Sequence, residues 1–481
     1  MKVLFVVPPF GGIKKEGKTE QKQGFLPPIG IALLATILDQ DGHEVKVLDM
    51  QVQNLPEQKL IDFIKDYQPQ VVCFSILAAT SLVAAELVAL IKQHIPHVII
   101  VCGGLHASMF PEETLKANPT INYLVSGEGE YTFKELLQAL EQKLDVSHIK
   151  GLYYKKDEEI ISTGIRPFEK DLNKFPIPSR KFFTMSHYVP LPSQYHRFPV
   201  GNMITSRGCT YSLCTFCFES SPFVREKGFR RISVQRAIEE ITYLINDYHV
   251  KEIAFWDDEF LMDHEWVDVF CDEIIRQKID ILWSCFGKVN FCSLPLLKKM
   301  AQSGCKNIFM GLESGNQEIL NFTKKGQTLD MMRNAVRWAH EAGIEVRGSF
   351  ILGLPKETPE IAQSTVDFAI ELDLDYAQFL LNTPFPGTEM HEVCKSGKYG
   401  TFDENAGFEK YTEHTALFLP SGYKNKEELL SIQKEAYKHF YFRPKYFLRK
   451  VKNVRSKEDV FRYFRGFHFL LKTRVLKNSE F

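Results

Sequence analysis

Residues 201–217 read GNMITSRGCTYSLCTFC. The stretch Gly201–Ser206 has the composition of a short strand and leads directly into a loop that holds Cys209, Cys214 and Cys217. Three thiolates in one loop can bind three irons of a [4Fe–4S] cluster and leave the fourth iron open to a chelating ligand. A structural zinc site needs a fourth protein ligand, and no Cys or His follows until residue 249. The loop therefore favours an iron–sulfur cluster over structural zinc.

Strands and helices alternate again after this loop. The predicted strands are Glu252–Trp256, Trp283–Phe286, Asn307–Gly311, Glu345–Leu352 and Tyr376–Leu381. The helices predicted between them are Gln235–Asn246, Glu265–Arg276, Pro295–Gly304, Leu329–Ala342 and Thr358–Leu372. About six strand–helix units in about 190 residues predict an open, partial (β/α)6 barrel. Barrel sites are built at the carboxyl ends of the strands, and the cysteine loop follows the first strand, so we expect the site there.

The N-terminal part of the chain has the same alternation. Its predicted strands are Lys2–Val7, Glu44–Leu48, Val71–Ser75, Val98–Cys102 and Ile121–Val125, and its predicted helices include Pro28–Gln40 and Ser81–His94. This spacing predicts a doubly wound, Rossmann-like parallel sheet, which binds ligands at the carboxyl ends of its strands. No GxGxxG follows the first strand, so a dinucleotide is disfavoured.

The predicted domain order follows from these patterns. A Rossmann-like domain over 1–140 is followed by a Pro-rich linker over 141–195, in which Lys150–Ser162 has the pattern of a short hairpin. The barrel occupies 196–395, and a helical, basic and aromatic region occupies 396–481.

Composition restricts the class of protein. The chain has 481 residues, 44% of them hydrophobic and 25% charged, with a formal net charge of −1. These values exclude dominant disorder and a globally basic nucleic-acid binder. The ten cysteines, in a chain without a recognisable secretion signal, indicate metal binding or catalysis rather than a disulfide framework. We expect a cytoplasmic protein without a membrane span.

The C-terminal segment 443–477 is basic and aromatic. It has twelve Lys and Arg residues against two acidic residues, with apolar runs in Phe461–Leu471. A basic helix with aromatic residues can lie in a membrane interface. The alternative is a helical tail that packs on the barrel. The apolar runs favour contact with a membrane or a lipid-like substrate.

Several short motifs occur together and in order. They are Pro27-Pro28-Ile29-Gly30, Gly103-Gly104-Leu105-His106-Ala107, Gly127-Glu128-Gly129-Glu130, Thr205-Ser206-Arg207-Gly208-Cys209, Trp256-Asp257-Asp258-Glu259-Phe260, Gly311-Leu312-Glu313-Ser314-Gly315 and Gly348-Ser349-Phe350-Ile351-Leu352-Gly353-Leu354-Pro355. With this set, residues 1–390 resemble the cobalamin-binding radical SAM family. The similar branch contains anaerobic magnesium-protoporphyrin IX monomethyl ester cyclase and the hopanoid and phosphonate methylases.

The resemblance implies a [4Fe–4S] cluster held by the three cysteines, with S-adenosylmethionine chelated through its amino and carboxylate groups to the fourth iron. Phe216 matches the family's aromatic residue beside the adenine, and Asp257 and Asp258 match positions that support the amino group. Glu313 matches a position that contacts the ribose or adenine. Ser349 and Gly353, in the Gly348–Gly353 strand, match further positions of that kind.

The resemblance also implies cobalamin bound at the N-terminal sheet. The matching positions are Pro8, Ser75, Gly103, Gly104, His106, Gly127 and Glu128. No DxHxxG motif follows the first strand, so an axial histidine from the protein is not expected. His106 is therefore assigned as a loop residue near the ligand or a helix cap, not as a ligand of cobalt.

One departure from the family lies in the cysteine loop. Family members usually have CxxxCxxC, whereas this chain has CxxxxCxxC. A loop tolerates one extra residue at small cost in entropy, so we expect cluster binding to persist.

The activity implied by the resemblance begins with one-electron cleavage of S-adenosylmethionine to a 5′-deoxyadenosyl radical, which takes hydrogen from an unactivated carbon. Transfer of a methyl group from methylcobalamin is the favoured continuation, and oxidative cyclisation without methyl transfer is the alternative. The implied partners are a flavodoxin or ferredoxin as electron donor and a small or lipid-like substrate. No residue is assigned as a catalytic acid or base.

Two other hypotheses remain at this point. The chain could keep the cluster but lack cobalamin. It could instead be a non-catalytic ligand-binding protein whose longer cysteine loop holds zinc or no metal, because a fold alone does not establish a function.

Overall fold

The computed structural model describes residues 1–10, 24–157, 159–221, 224, 227–452, 454 and 457–472, with side chains omitted at 452, 457, 458 and 467–472. The chain divides into two compact units. The first unit comprises Met1–Val189 and Gly407–Lys410, and the second comprises Pro190–Ala406 and Tyr411–Phe481.

The first unit is built on a seven-stranded sheet in the order β2-β1-β3-β4-β5-β6-β7. The strands are β1 (Lys2–Val7), β2 (Glu44–Asp49), β3 (Val71–Ser75), β4 (Ile99–Gly103), β5 (Tyr123–Val125), β6 (Leu152–Lys156) and β7 (Glu159–Ser162). The helices are α1 (Ile29–Gln40), α2 (Met50–Gln53), α3 (Glu57–Tyr67), α4 (Ser81–His94), α5 (Leu105–Met109), α6 (Pro111–Ala117) and α7 (Gly129–Gln142). The strands β1 to β5 pair in parallel, which confirms the predicted doubly wound sheet.

The continuous apolar strands of this sheet are buried on both faces. Leu4 and Phe74 belong to a core cluster that also contains residues of α3 and α4, whereas Phe5 and Cys73 belong to a cluster with residues of α1 and α7. Successive strand side chains point to opposite faces, so a strand covered by helices on both sides must be apolar throughout. This is why the uninterrupted apolar runs predicted parallel strands.

The hairpin predicted near Lys150–Ser162 forms as β6 and β7, which extend the parallel sheet. β6 runs antiparallel to β5, with Tyr123 opposite Tyr154. The local sequence predicts a hairpin from its alternation and turn, but it does not indicate which sheet edge the hairpin joins.

The second unit contains a six-stranded parallel sheet in the order β15-β14-β13-β12-β11-β8, which follows the chain order. Its strands are β8 (Val200–Met203), β11 (Glu252–Phe255), β12 (Leu282–Phe286), β13 (Cys305–Glu313), β14 (Glu345–Leu352) and β15 (Tyr376–Leu381). The helices are α8 (Val234–Tyr248), α9 (His264–Gln277), α10 (Leu294–Gln302), α11 (Gln317–Phe322), α12 (Leu329–Ala342), α13 (Pro359–Glu371) and α14 (Glu389–Lys395). This arrangement confirms the predicted partial (β/α)6 barrel.

The first barrel strand is shorter than predicted. β8 ends at Met203, and Ser206–Arg207 forms a separate short strand, β9, antiparallel to β10 (Arg230–Arg231). The chain thus leaves the parallel sheet before the cysteine loop begins.

The C-terminal region is helical but also contains a small hairpin. The hairpin strands are β16 (Gly400–Phe402) and β17 (Phe418–Pro420), and the helices are α15 (Lys426–Tyr441), α16 (Pro444–Lys452) and α17 (Lys457–Lys472). Among the described residues, no helix has the length and apolar composition needed to cross a bilayer.

Basic residues of these last helices turn toward the amino ends of the barrel strands. The guanidinium of Arg462, which is 3% exposed, donates to the Tyr195 carbonyl oxygen at 2.8 Å and lies 3.9 Å from the Glu345 carboxylate. Arg449 lies 3.7 Å and Lys450 4.0 Å from the Asp375 carboxylate. These contacts fix α16 and α17 to the end of the barrel opposite the carboxyl ends of its strands.

Candidate active site at the carboxyl ends of the strands

The segment that enters the cysteine loop is held by two aspartates after β11. Oδ1 of Asp257 accepts hydrogen bonds from the Thr205 backbone N–H at 3.0 Å and from the Thr205 hydroxyl at 2.7 Å. Oδ2 of Asp258 accepts from the Gly208 N–H at 3.1 Å. Burial raises the pKa of both carboxyl groups. Both aspartate side chains thus hold, through hydrogen bonds, the backbone of the segment that leads to Cys209.

The three cysteines of the loop are free thiols. Cys214 is buried, and Cys209 and Cys217 are half-buried. The Cys217 N–H donates to the Cys214 carbonyl oxygen at 3.1 Å, and the Thr215 N–H donates to the Thr323 carbonyl oxygen at 3.0 Å. The loop is therefore anchored internally and to the end of α11.

A site for a single metal ion needs at least three side chains placed around one point, unlike a cluster, whose irons each have their own ligand. Within the described residues, no group of three or more His, Cys, Asp and Glu side chains is placed to hold one metal ion.

The extra residue of the CxxxxCxxC loop is accommodated by a left-handed turn and a tyrosine. Ser212 has a φ of 28°, a region that residues with a Cβ rarely adopt. The hydroxyl of Tyr211 donates to the Lys324 carbonyl oxygen at 2.8 Å. A Cβ at Gly326 would overlap that hydroxyl, so the close approach of Tyr211 depends on glycine at this position.

Replacing Gly326 by alanine is therefore expected to displace Tyr211 and impair cluster assembly. Gly343 is the matched control, because it also has a positive φ of 81° but a Cβ there meets nothing within 4 Å. Both variants carry a conformational cost of about 1 kcal/mol, but only Gly326→Ala disturbs the loop. We expect bound iron after anaerobic reconstitution to fall at least about threefold in Gly326→Ala and to stay at the wild-type level in Gly343→Ala. Equal iron content in the two variants would contradict the role of Tyr211.

Two lysines lie beside the loop. Nζ of Lys325 lies 2.8 Å from the Glu313 carboxylate and 5.6 Å from the centroid of the Phe216 ring. Nζ of Lys288 lies 2.8 Å from the centroid of the Tyr211 ring, and burial lowers the pKa of Lys288 to about 8.

These positive charges act on the buried cysteine. Burial raises the pKa of the Cys214 thiol, while Lys325 and Lys288 pull it down. Burial also raises the pKa of the Cys217 thiol, to about 12. A metal cluster binds thiolates rather than thiols, so cations beside Cys214 suit a ligand to iron. The donor set and its charges therefore fit a [4Fe–4S] cluster.

The remaining residues predicted to contact S-adenosylmethionine lie on neighbouring strand ends. In the register of β13 and β14, Gly311 is opposite Ser349 and Glu313 is opposite Phe350. Phe216 packs against an apolar cluster that includes Leu354, the residue after Gly353. The structure therefore brings the predicted adenine and ribose positions to the same end of the sheet as the cysteine loop.

The Gly353 turn is fixed by a buried carboxyl group. Oε1 of Glu357 accepts from the Gly353 N–H and from the Tyr423 hydroxyl, each at 2.6 Å. Burial raises the pKa of Glu357 from 4.5 to about 7. Between about pH 4.5 and 7 the Glu357 carboxyl group is therefore protonated in the native protein and ionised in the unfolded chain. Its contribution to the free energy of unfolding is complete below pH 4.5 and is lost as the pH rises to 7.

Glu357→Gln is expected to remove this pH dependence, because the amide stays neutral and keeps the acceptor oxygen. The melting temperature of the variant should match that of the wild type near pH 5 and exceed it by about 5 °C at pH 8. Thermal unfolding of the apoprotein from pH 5 to 8 measures this difference. Glu318→Gln, at an exposed position on α11, is the control and should follow the wild type. A constant difference between Glu357→Gln and the wild type across the pH range would contradict the assignment.

In the first unit, the loops after β3, β4 and β5 meet. Gly104 has a φ of 95°, and a Cβ there would lie 2.7 Å from the Ile76 nitrogen and 2.9 Å from the Ser75 hydroxyl oxygen. The Gly127 N–H donates to the Ser108 hydroxyl oxygen at 2.9 Å. In the motif Gly103-Gly104, the backbone of Gly104 therefore packs directly against the backbone that follows β3.

Other predicted cobalamin positions lie at the same edge. A Cβ at Gly103 would lie 3.3 Å from the Val125 carbonyl oxygen. Pro8 follows β1, which pairs in parallel with β3, and Glu128 is the residue before α7. Parallel strands end at one edge of a sheet, so these residues share it with Ser75.

His106 is buried in an aromatic setting. Its ring centroid lies 4.6 Å from that of Phe408 and 5.4 Å from that of Phe110. Burial lowers the pKa of His106 to about 4, so the imidazole is neutral. Nδ1 has no hydrogen-bond partner among the described residues.

Tyr211, Lys288, Lys325 and Gly326 were not singled out from the sequence. Lys288 lies in the loop after β12, and Lys325 lies after α11 in the connection between β13 and α12. The carboxyl ends of the barrel strands were predicted to build the site. That position is the only signal in the sequence that could have identified them. Tyr211, the partner of Lys288, belongs to the cysteine loop, and Glu313, the partner of Lys325, is the last residue of β13.

Comparison with known proteins agrees with this arrangement. A B12 binding domain matches residues 21–137, and a radical SAM superfamily domain matches residues 203–369. A structure of the radical S-adenosylmethionine methyltransferase TsrM from Kitasatospora setae, with cobalamin and a [4Fe-4S] cluster bound, aligns with a TM-score of 0.73 at 18% identity. The alignment covers 98% of this chain and 99% of that one.

Two relatives extend the comparison. An uncharacterised methyltransferase of Pyrococcus horikoshii is 34% identical over 463 residues, which cover 94% of this chain and 95% of the relative. The anaerobic magnesium-protoporphyrin IX monomethyl ester cyclase of Rubrivivax gelatinosus is 26% identical over 453 residues, which cover 92% of this chain and 77% of the cyclase. The chain therefore belongs to the cobalamin-binding radical SAM enzymes, whose cofactors are a [4Fe–4S] cluster, S-adenosylmethionine and cobalamin.

Proposed function

We propose that this protein is a radical SAM C-methyltransferase in which Cys209, Cys214 and Cys217 bind the cluster. The observation that carries the proposal is the anchored loop of three free thiols at the carboxyl ends of the barrel strands, with two lysines beside Cys214. When bound, the cluster and S-adenosylmethionine supply a carbon-centred radical, and cobalamin supplies a methyl group.

The chain's own residues would bind and orient S-adenosylmethionine. We assign Phe216 to the adenine, because it packs beside the turn that contains Gly353. Ser349 and Glu313 lie on adjacent strands and would contact the ribose. The aspartates after β11 act through the backbone, because Asp257 and Asp258 hold the segment that places the first cysteine.

Cobalamin would bind at the strand ends of the first unit. We assign Pro8, Ser75, Gly103, Gly104, His106, Gly127 and Glu128 to this edge. The close packing of Gly104 on Ile76 leaves no room for a side chain, so glycine there holds the loops after β3 and β4 together at the edge that a flat ligand would approach. His106 would contact the ligand through its neutral ring.

Methyl transfer is favoured over oxidative cyclisation by one finding. The relative named as a methyltransferase is 34% identical, whereas the cyclase is 26% identical, over similar shares of this chain. A small or lipid-like molecule would be the acceptor, and a flavodoxin or ferredoxin would supply the electron.

Isotope transfer tests this proposal. The reconstituted enzyme, loaded with methylcobalamin labelled in its methyl group, would be incubated with S-adenosylmethionine, dithionite and lipid or tetrapyrrole fractions. We expect label to move to a carbon of an extractable small molecule and 5′-deoxyadenosine to form. Deoxyadenosine formation with an oxidised, unlabelled product would instead establish the cyclase-type reaction.

We also propose that the C-terminal helices contact a membrane surface. Large apolar side chains at positions i, i+1 and i+4 of both α16 and α17 are exposed, with exposed fractions from 41% to 70%: Phe447, Leu448 and Val451, and Val460, Phe461 and Phe464. Three basic residues of the same helices, Arg449, Lys450 and Arg462, face the barrel, whereas charged residues of an ordinary surface helix face water. Lys445 is exposed, and the excess of Lys and Arg over acidic residues in 443–477 favours anionic phospholipid as the occupant.

The double variant Phe461→Ser/Phe464→Ser is expected to lower the partition coefficient onto phosphatidylglycerol-containing vesicles at least about tenfold. Each phenylalanine that leaves water contributes about 1 kcal/mol or more. The control, Val269→Ser/Ile275→Ser, removes exposed apolar side chains from α9 and should bind like the wild type. Vesicle sedimentation measures binding. Failure of the wild-type protein to bind vesicles would contradict the proposal. A wild-type dimer that the Phe461→Ser/Phe464→Ser variant dissociates would also contradict it.

A further inference from the structure

We infer that Lys288 is a positioning residue that places an uncompensated positive charge beside the cysteine loop and thereby raises the reduction potential of the cluster. The inference rests on the proposed function, in which that loop binds the cluster. It assigns a role to a residue outside the family motifs found in the sequence.

Lys288 lies in the loop after β12, at the carboxyl ends of the barrel strands. The residue is 7% exposed, so its ammonium group is largely removed from water. Nζ lies 2.8 Å from the centroid of the Tyr211 ring, and Tyr211 stands between Cys209 and Cys214 in the sequence. Nζ has no hydrogen-bond partner among the described residues. The ammonium group is therefore buried against the cysteine loop.

The neighbouring lysine is different. Nζ of Lys325 forms an ion pair with the Glu313 carboxylate at 2.8 Å, so its charge is compensated within the protein. Glu259 is the carboxylate that interacts electrostatically with Lys288, and its Oε1 accepts a hydrogen bond from the Leu261 N–H. No ion pair joins Lys288 to a carboxylate in the described part of the chain.

A buried ammonium group without a partner is costly, so such a group is expected where an anion faces it. Besides Glu259 and Lys325, the groups that interact electrostatically with Lys288 are the thiols of Cys209 and Cys214, which become thiolates when they bind iron. The cluster with its thiolates would supply the missing negative charge.

A fixed cation beside a cluster favours the more negative redox state. One-electron reduction adds one negative charge to the cluster, so Lys288 stabilises the reduced form more than the oxidised form. The reduction potential is therefore higher with Lys288 than with a neutral side chain of similar size.

Potentiometric titration of the reconstituted protein, followed by electron paramagnetic resonance without S-adenosylmethionine, tests this. At a fixed solution potential near the wild-type midpoint, Lys288→Met is expected to lower the ratio of reduced to oxidised cluster about tenfold, which is about 59 mV for a one-electron couple. Lys288→Arg should keep the wild-type potential. Lys298→Met, which removes an exposed lysine from α10, is the control for charge.

Lys288→Gln provides a second neutral variant if Lys288→Met does not load a cluster. A wild-type potential in a cluster-loaded neutral variant overturns the role of Lys288. A wild-type protein that binds no redox-active cluster overturns the proposed function itself, so the two failures are distinguishable.

Discussion

Cys214→Ala is expected to abolish assembly of a [4Fe–4S] cluster, because it removes one of three thiolates and leaves two irons without a protein ligand. Iron and sulfide after anaerobic reconstitution should fall from about four of each per chain to background. The visible absorption of the cluster and the formation of 5′-deoxyadenosine should disappear together. Chemical analysis of iron and sulfide measures the effect directly.

Cys271→Ala is the matched control for this variant. Cys271 is a fully buried free thiol on α9, away from the loop. Its replacement leaves a small cavity and should cost about 1 kcal/mol of stability without changing iron content. Equal iron content in Cys214→Ala and the wild type would show that the loop does not hold the cluster.

Lys325→Met is expected to destabilise the second unit by about 3 kcal/mol. The Lys325 and Glu313 side chains are 13% and 7% exposed and form an ion pair at 2.8 Å. Removal of one partner leaves the other as a buried, unpaired charge, which is more costly than removal of both. All four tryptophans, at 256, 266, 283 and 338, lie in the second unit, so fluorescence during urea unfolding reports on that unit.

A double-mutant cycle separates the ion pair from other effects of the substitution. Lys325→Met/Glu313→Gln should recover more than half of the stability lost in Lys325→Met, because no buried charge is left unpaired. Strictly additive losses in the two single variants would contradict the ion pair.

The bounds of four strands, β1, β3, β14 and β15, were predicted to the residue. In β1 and β3 the signal is a largely continuous apolar run, because a strand buried on both faces has a composition that a surface segment lacks. In β14 and β15 polar residues such as Arg347 and Gln378 interrupt the apolar residues. The helix Leu329–Ala342 was also predicted to the residue. Thr328 caps its first turn, and Gly343 adopts the left-handed conformation after its last.

Short elements and long-range pairings were not predictable in this way. The hairpin strands β16 and β17 have three residues each, too few for a periodic pattern. Lys288 meets Tyr211 across 77 positions of the sequence because two barrel loops converge, and no local pattern specifies that convergence. The same holds for Arg462 and Glu345, so the sequence did not show which basic residues of the last helix face inward.

The family motifs correctly identified the cofactors, while the protein contacts of each motif residue became visible only in the structure. Asp257 and Asp258 were expected beside S-adenosylmethionine, and the structure shows their carboxylates on the backbone and hydroxyl groups of the segment before Cys209. Glu313 was expected at the ribose, and its carboxylate is paired with Lys325. A motif specifies a position at a strand end, whereas the contacts depend on neighbouring loops.

The most direct test of the account is the formation of 5′-deoxyadenosine by the anaerobically reconstituted protein with S-adenosylmethionine and dithionite. We predict that brown, cluster-loaded wild-type protein forms deoxyadenosine and that Cys214→Ala forms none. A wild-type protein that carries a full cluster yet leaves S-adenosylmethionine intact would contradict the assignment of this loop as the site of radical formation.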